Sequence, residues 1–165
     1  MPDISSVESR ASWIAASVTL GILSIAYGST LLIVVGLRVM ELDLGVARST
    51  LALAGSLTWV GTGLGGIFMG WVSDRIGIRA SVLIGSVMIA LGLALSSTGA
   101  MWALFVGQGL LVGFLGMGAV YPPLLIYVSR WFDRRRGAAI ALISSGQYVA
   151  GIFWPTVFEI GRAHV

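Results

Sequence analysis

The chain has 165 residues, of which 57% are hydrophobic and only 10% charged, and its formal net charge is +3. Soluble domains carry about 25% charged residues, so a mean hydropathy of +0.96 points to a bilayer and excludes an ordinary soluble domain. There is no cysteine, and the single histidine is His164, so no disulfide framework, metal site or cofactor is expected.

Apolar runs between charges predict an all-α, polytopic membrane protein with five helices, about residues 13–37, 49–73, 80–98, 101–128 and 137–158. Crossing the ~30 Å hydrocarbon layer takes about 20 helical residues, and each run reaches or nearly reaches that length. The leader Met1–Ser12 contains Asp3, Glu8 and Arg10, and the apolar stretch after it exceeds a signal core of about 7–15 residues. A retained first helix is therefore expected. On it Ser17, Gly21, Ser24 and Gly28 recur as one small-polar stripe, with Tyr27 beside them.

The second helix carries Gly61, Gly65, Gly66 and Gly70, and the fourth Gly109, Gly113, Gly116 and Gly118. Small faces of this kind let helix backbones approach closely in lipid. The string Gly61-Thr62-Gly63-Leu64-Gly65-Gly66 matches a dinucleotide-binding pattern. That chemistry needs free N–H groups where a strand gives way to a helix. Inside a membrane span those groups are bonded within the helix, so nucleotide binding is not expected.

The fourth helix also offers Gln108 and Tyr121, with Pro122-Pro123 following, where the missing N–H groups should kink or end regular helix. The fifth offers Ser144, Gln147 and Tyr148. Polar side chains within apolar spans are candidates for lining a cavity between helices, and here these are Ser24, Tyr27, Gln108, Tyr121, Ser144, Gln147 and Tyr148. Tryptophans 13, 71, 102 and 131 fall at span ends, where an indole is favoured. Trp59 lies mid-span and is expected to pack against a neighbour.

Charge predicts the orientation. All ten basic residues are arginine; one side receives Arg10, Arg75, Arg79, Arg130, Arg134, Arg135 and Arg136, the other only Arg38 and Arg48. The positive-inside rule then makes the N-terminus cytoplasmic. The arginine excess serves insertion, and no nucleic-acid partner is expected.

The turn Gly70-Trp71-Val72-Ser73-Asp74-Arg75-Ile76-Gly77-Ile78-Arg79, between two uncharged spans, resembles the signature loop between helices two and three of the major facilitator superfamily. The resemblance implies a six-helix N-terminal bundle, here with five helices, and a latch on the cytoplasmic side. It assigns Gly70 and Gly77 to close packing and the tight turn, Asp74 to the latch, and Arg75 and Arg79 to its ionic partners. Asp133 is the candidate local acid, and Arg130 belongs to the same cluster. The run Arg130-Trp131-Phe132-Asp133-Arg134-Arg135-Arg136-Gly137, with Ser144-Ser145-Gly146 beyond it and Asp43–Arg48 before the second helix, is similar to the monocarboxylate-carrier and oxalate/formate-antiporter branch. The first helix departs from the animal carriers of that branch, reading Ala26-Tyr27-Gly28-Ser29-Thr30 with no charge.

The function so implied is secondary active transport of a small solute, with a carboxylate or other organic anion as the branch's substrate class. The expected site is the inner membrane of a bacterium, and the expected partners are the solute, the bilayer and a C-terminal half of the same polypeptide. A non-transporting sensor or assembly protein on the same scaffold, or a drug-efflux carrier, is the alternative. An enzyme is not expected, because no nucleophile–base pair or ligand cluster lies in the spans. The hexapeptide Ile160-Gly161-Arg162-Ala163-His164-Val165 reads as ATC GGA AGA GCA CAC GTC, a common sequencing adapter. Residues 160–165 are therefore expected to be read-through, and residues 1–159 the partial bundle of a longer protein.

Overall fold

A computed structural model of the chain describes residues 8–45 and 47–163, and leaves undescribed the side chains of residues 37–39, 43–44 and 159–163. The tail residues His164 and Val165, and the side chains of Arg38 and Asp43, thus lie outside the described residues. The protein is all-α. Its helices are α1 (Arg10–Leu44), α2 (Arg48–Ile76), α3 (Ile78–Ser96), α4 (Met101–Ser129) and α5 (Arg136–Phe158 in its apolar part). All five are long and apolar enough to cross a membrane.

One helix runs differently from the sequence expectation. Helix α1 continues past the expected end of its span near residue 37, reaches Leu44 and stops at Gly45, whose φ of 61° is left-handed. Apolarity defines the span, whereas helix length follows backbone propensity and the glycine stop. The expected connection Arg38–Arg48 is accordingly reduced to a short turn. Helix α4 keeps its expected length, and of the two outcomes open at Pro122-Pro123 it does not end there: helix continues from Gly118 to Ser129 with both prolines inside. In an α-helix the missing N–H of Pro123 would free the carbonyl of Ala119. That oxygen instead accepts the hydroxyl of buried Ser81 on α3 at 3.2 Å. A neighbouring helix has replaced the lost bond, as happens in membrane bundles.

Helix α4 is the central element, flanked by α2 and α3, while α1 packs against α2 and α5. Its middle third, Val106–Met117, is wound as a π-helix. Glycines there meet two helices at once. A Cβ built on Gly113 would lie 2.5 Å from the Thr58 carbonyl of α2, and one on Gly107 would lie 2.7 Å from the Gly92 carbonyl of α3. From the α2 side, Cβ atoms on Gly61 and Gly65 would fall on the carbonyls of Gly109 and Phe114. The small faces therefore seat backbone on backbone, where dispersion contact is densest. The Gly-x-Gly-x-x-Gly string lies within α2, with two of its glycines in this contact.

The main apolar core joins α1, α4 and α5 through Leu23, Val120, Val128, Ala139 and Ile143; a second cluster holds Ile33, Leu51, Ala54 and Leu104. Large apolar side chains such as Ile25, Ile67, Leu83 and Ile152 point outward, as a lipid-facing surface requires. Trp154 of α5 lies over Gly28 and donates its indole N–H to the Ser24 carbonyl at 2.9 Å, tying α5 to α1.

Candidate functional site

Two regions concentrate the polar and aromatic groups. The first is the turn between α2 and α3. Helix α2 stops because Gly77 takes φ 83°, which only glycine adopts freely, and its N–H caps the Ser73 carbonyl at 2.9 Å. This places Gly70, Ser73, Asp74 and Gly77 around one hollow of about 220 Å³, with Tyr127 and Arg130 of the α4 end on its other wall. Asp74 and Arg130 thus share one water-facing hollow. Arg75 turns away and lays its guanidinium over the Trp71 ring, 3.8 Å from the centroid. Arg79 lines a separate hollow beside Leu124 and Tyr127.

The turn gathers only part of the expected cluster. Asp133 is exposed in the α4–α5 turn, and neither hollow includes it. Gly70 does not make the close packing expected of it within this chain, because a Cβ there would meet nothing within 4 Å. Arg136 donates to the Ser129 hydroxyl at 3.1 Å.

One participant at this end was not singled out in the sequence. Glu8 meets the α4–α5 turn: its N–H donates to the Trp131 carbonyl at 3.2 Å, and one of its carboxylate oxygens accepts the Arg135 N–H at 2.6 Å. Arg135 is the N-cap of α5 and has no side-chain cap of its own. The acid therefore sits where the helix dipole favours negative charge. Glu8 holds φ 81°, unusual for a non-glycine residue, and Trp13 packs edge-on against Phe132 at 5.0 Å. No residue-type pattern predicts a contact between positions 8 and 135. These contacts put Glu8 and the start of α1, the α2–α3 turn and the α4–α5 turn at one end of the bundle, so Arg10, Arg75, Arg79, Arg130 and Arg134–Arg136 share that end.

The second region is an open hollow of about 480 Å³ part-way along the spans, walled by Tyr27 of α1, Trp59, Thr62, Gly63 and Ile67 of α2, and Tyr121 and Pro122 of α4. The Tyr27 ring stands 5.8 Å from that of Tyr121, edge to face, and 6.2 Å from that of Trp59. Tyr27 is 3% exposed, whereas Trp59 is 54% exposed, so Tyr27 is fixed and Trp59 presents a free face. Trp59 does find the neighbour expected of it, but from the rim of this cavity.

Of the seven candidate lining residues, the cavity collects Tyr27 and Tyr121. Ser24 bonds its own helix at the Leu20 carbonyl, 2.8 Å away, and faces α5. Gln108 is fully buried between α3 and α4; its amide nitrogen lies 3.4 Å from the Ser96 hydroxyl, and its oxygen has no partner. Ser144 and Gln147 are partly buried on α5, and Tyr148 is 69% exposed. The expected convergence of α1, α4 and α5 is thus replaced by α1, α2 and α4. The reason is that α5 spends its inward face on α1, through Trp154 and Gly146.

Five long apolar helices, a charged turn at one end and an uncharged open hollow between α1, α2 and α4 define a polytopic membrane protein of the transporter class. The chain belongs to the Major Facilitator Superfamily, whose family profile matches residues 18–160. It is 33% identical over 128 residues to MFS-type transporter pynF of Aspergillus niger, covering 77% of this chain and 29% of that protein. It is 29% identical over 116 residues to MFS-type transporter pytF of Aspergillus terreus, covering 70% and 39%. A plant relative, probable inositol transporter 3 of Arabidopsis thaliana, is 38% identical over 102 residues, covering 58% of this chain and 17% of its own length. The chain therefore spans well under half of these curated relatives.

Proposed function

We propose that the chain forms part of the N-terminal bundle of a secondary transporter that moves a small solute by alternating access. In this reading the arginine-rich end faces the cytoplasm of a plasma membrane, and Asp74 serves as a latch residue on that face. The observation that carries the proposal is the shared hollow of Asp74, Gly77 and Arg130 at the end where the basic turns meet. A carboxylate and a guanidinium that line one open hollow at an exposed helix end can pair and exchange partners as a gate opens. Solute then occupies the cavity of Tyr27, Trp59 and Tyr121, facing a C-terminal half of the same polypeptide. The carboxylate branch of the resemblance would call for a cation at that wall, and the residues that line it carry none.

The test is Asp74→Asn in the complete protein, reconstituted in proteoliposomes. Initial uptake should fall about tenfold or more while insertion and monodispersity stay normal. Unchanged transport kinetics would remove Asp74 from the mechanism.

A further inference from the structure

We propose that the transported solute presents an uncharged planar ring, which stacks in the cavity formed by Tyr27, Trp59 and Tyr121. As a substrate site this rests on the transporter reading above, although the binding itself can be measured alone. Each of three helices contributes one aromatic group, and the rings are set at different tilts, 71° between Tyr27 and Tyr121 and 32° between Tyr27 and Trp59. Such a corner offers a face and an edge together, the two arrangements that aromatic rings prefer. Between them the floor is open, because a Cβ at Gly63 would meet nothing within 4 Å. A cavity of about 480 Å³ falls in the size range of small-molecule sites.

Electrostatics narrow the class. No acidic or basic side chain lines the cavity, and the Thr62 hydroxyl is committed to the Thr58 carbonyl at 2.8 Å. A carboxylate entering here would shed its hydration against ring faces, whose quadrupole is negative. A cation would gain from those faces but find no counter-ion to replace its water. A neutral ring loses little hydration and gains stacking on the free face of Trp59 and contact with the tyrosine edges. A saturated ring of equal size would fill the volume without the edge-to-face match.

The experiment uses four probes of one size: 2-naphthol, 2-naphthoate, a 2-naphthyl trimethylammonium and decahydro-2-naphthol. Binding to the full chain in lipid nanodiscs is measured by displacement of tritiated 2-naphthol. Saturable 2-naphthol binding is expected, with each of the other probes at least tenfold weaker. Trp59→Leu should weaken 2-naphthol at least tenfold, Tyr27→Phe should keep it within about twofold, and Trp102→Leu, at an exposed indole elsewhere, should leave it unchanged. Equal binding of the anion or of the saturated alcohol would overturn the proposal, as would full affinity in a folded Trp59→Leu protein. Transport by the complete protein separates this from the parent reading. Ring binding without movement of any solute would support the cavity and refute the transporter. Transport that ignores Trp59→Leu would do the reverse.

Discussion

The backbone-to-backbone seam between α2 and α4 gives the sharpest test of the packing, because two glycines on one helix turn sit in opposite surroundings. At Gly65 a Cβ would lie 2.6 Å from both the carbonyl carbon and Cα of Phe114, and closer still to its oxygen. At Gly63, two residues earlier, it would meet nothing within 4 Å. Backbone atoms cannot swing aside as a flexible side chain can, so Gly65→Ala must push the helices apart by about 1 Å locally. A gap of ~0.5–1 Å forfeits a quarter to a half of each dispersion contact along the seam. Overpacking of this kind costs about 1–3 kcal/mol, and ~2 kcal/mol corresponds to a fall in Tm of about 4–8 °C for a chain of this size. Gly63→Ala carries no steric cost and gains up to ~1 kcal/mol of helix propensity. Intrinsic-fluorescence melting of both variants in the same detergent reads the difference. Equal Tm values for the two alanines would refute the close seam.

Two further outcomes follow from individual bonds. Glu8→Ala removes the acceptor at the N-cap of α5 and should cost about 0.5–2 kcal/mol, raising proteolytic cleavage in the α4–α5 turn. Glu8→Gln keeps a carbonyl acceptor and should lose roughly half as much. Ser81→Ala leaves the Ala119 carbonyl without its donor and should destabilise the α3–α4 contact by about 1 kcal/mol, visible as faster amide exchange around Pro123.

Much of the fold was legible in the sequence, because charge bounds most of the spans, the uncharged break at residues 97–100 carries Ser, Thr and Gly, and lipid imposes helix on whatever lies between. The α2–α3 hairpin was readable for a second reason: Gly77 supplies the positive φ that its tight turn needs, as Gly45 and Gly99 do in the two neighbouring turns. The cavity was half legible. Tyr27 and Tyr121 are polar aromatics within apolar runs, and that signal found them. Trp59 carries no such contrast, since an indole in a membrane helix fits core, lipid and cavity equally well; only the placement of α2 against α4 distinguishes them. Ser24 and Gln108 were polar in the same way as Tyr27 and were drawn into helix contacts instead. Trp154 shows why. It fills the space over Gly28 and takes the Ser24 carbonyl, so the small-polar stripe of α1 meets α5 rather than solute. The strap at Glu8 depends on residues more than 120 positions apart, which no local pattern encodes.

The central claim is that the arginine-bearing ends lie together on the cytoplasmic side of a membrane crossed five times. These 165 residues contain no cysteine, so the orientation of this chain is directly measurable with single substitutions. Ile76→Cys places a thiol in the α2–α3 turn and Thr98→Cys one in the α3–α4 turn, both at exposed positions. In intact cells a membrane-impermeant maleimide should label Thr98→Cys and reach Ile76→Cys only after permeabilisation. Labelling of Ile76→Cys from outside intact cells, with Thr98→Cys protected, would contradict the orientation and the cytoplasmic latch built on it.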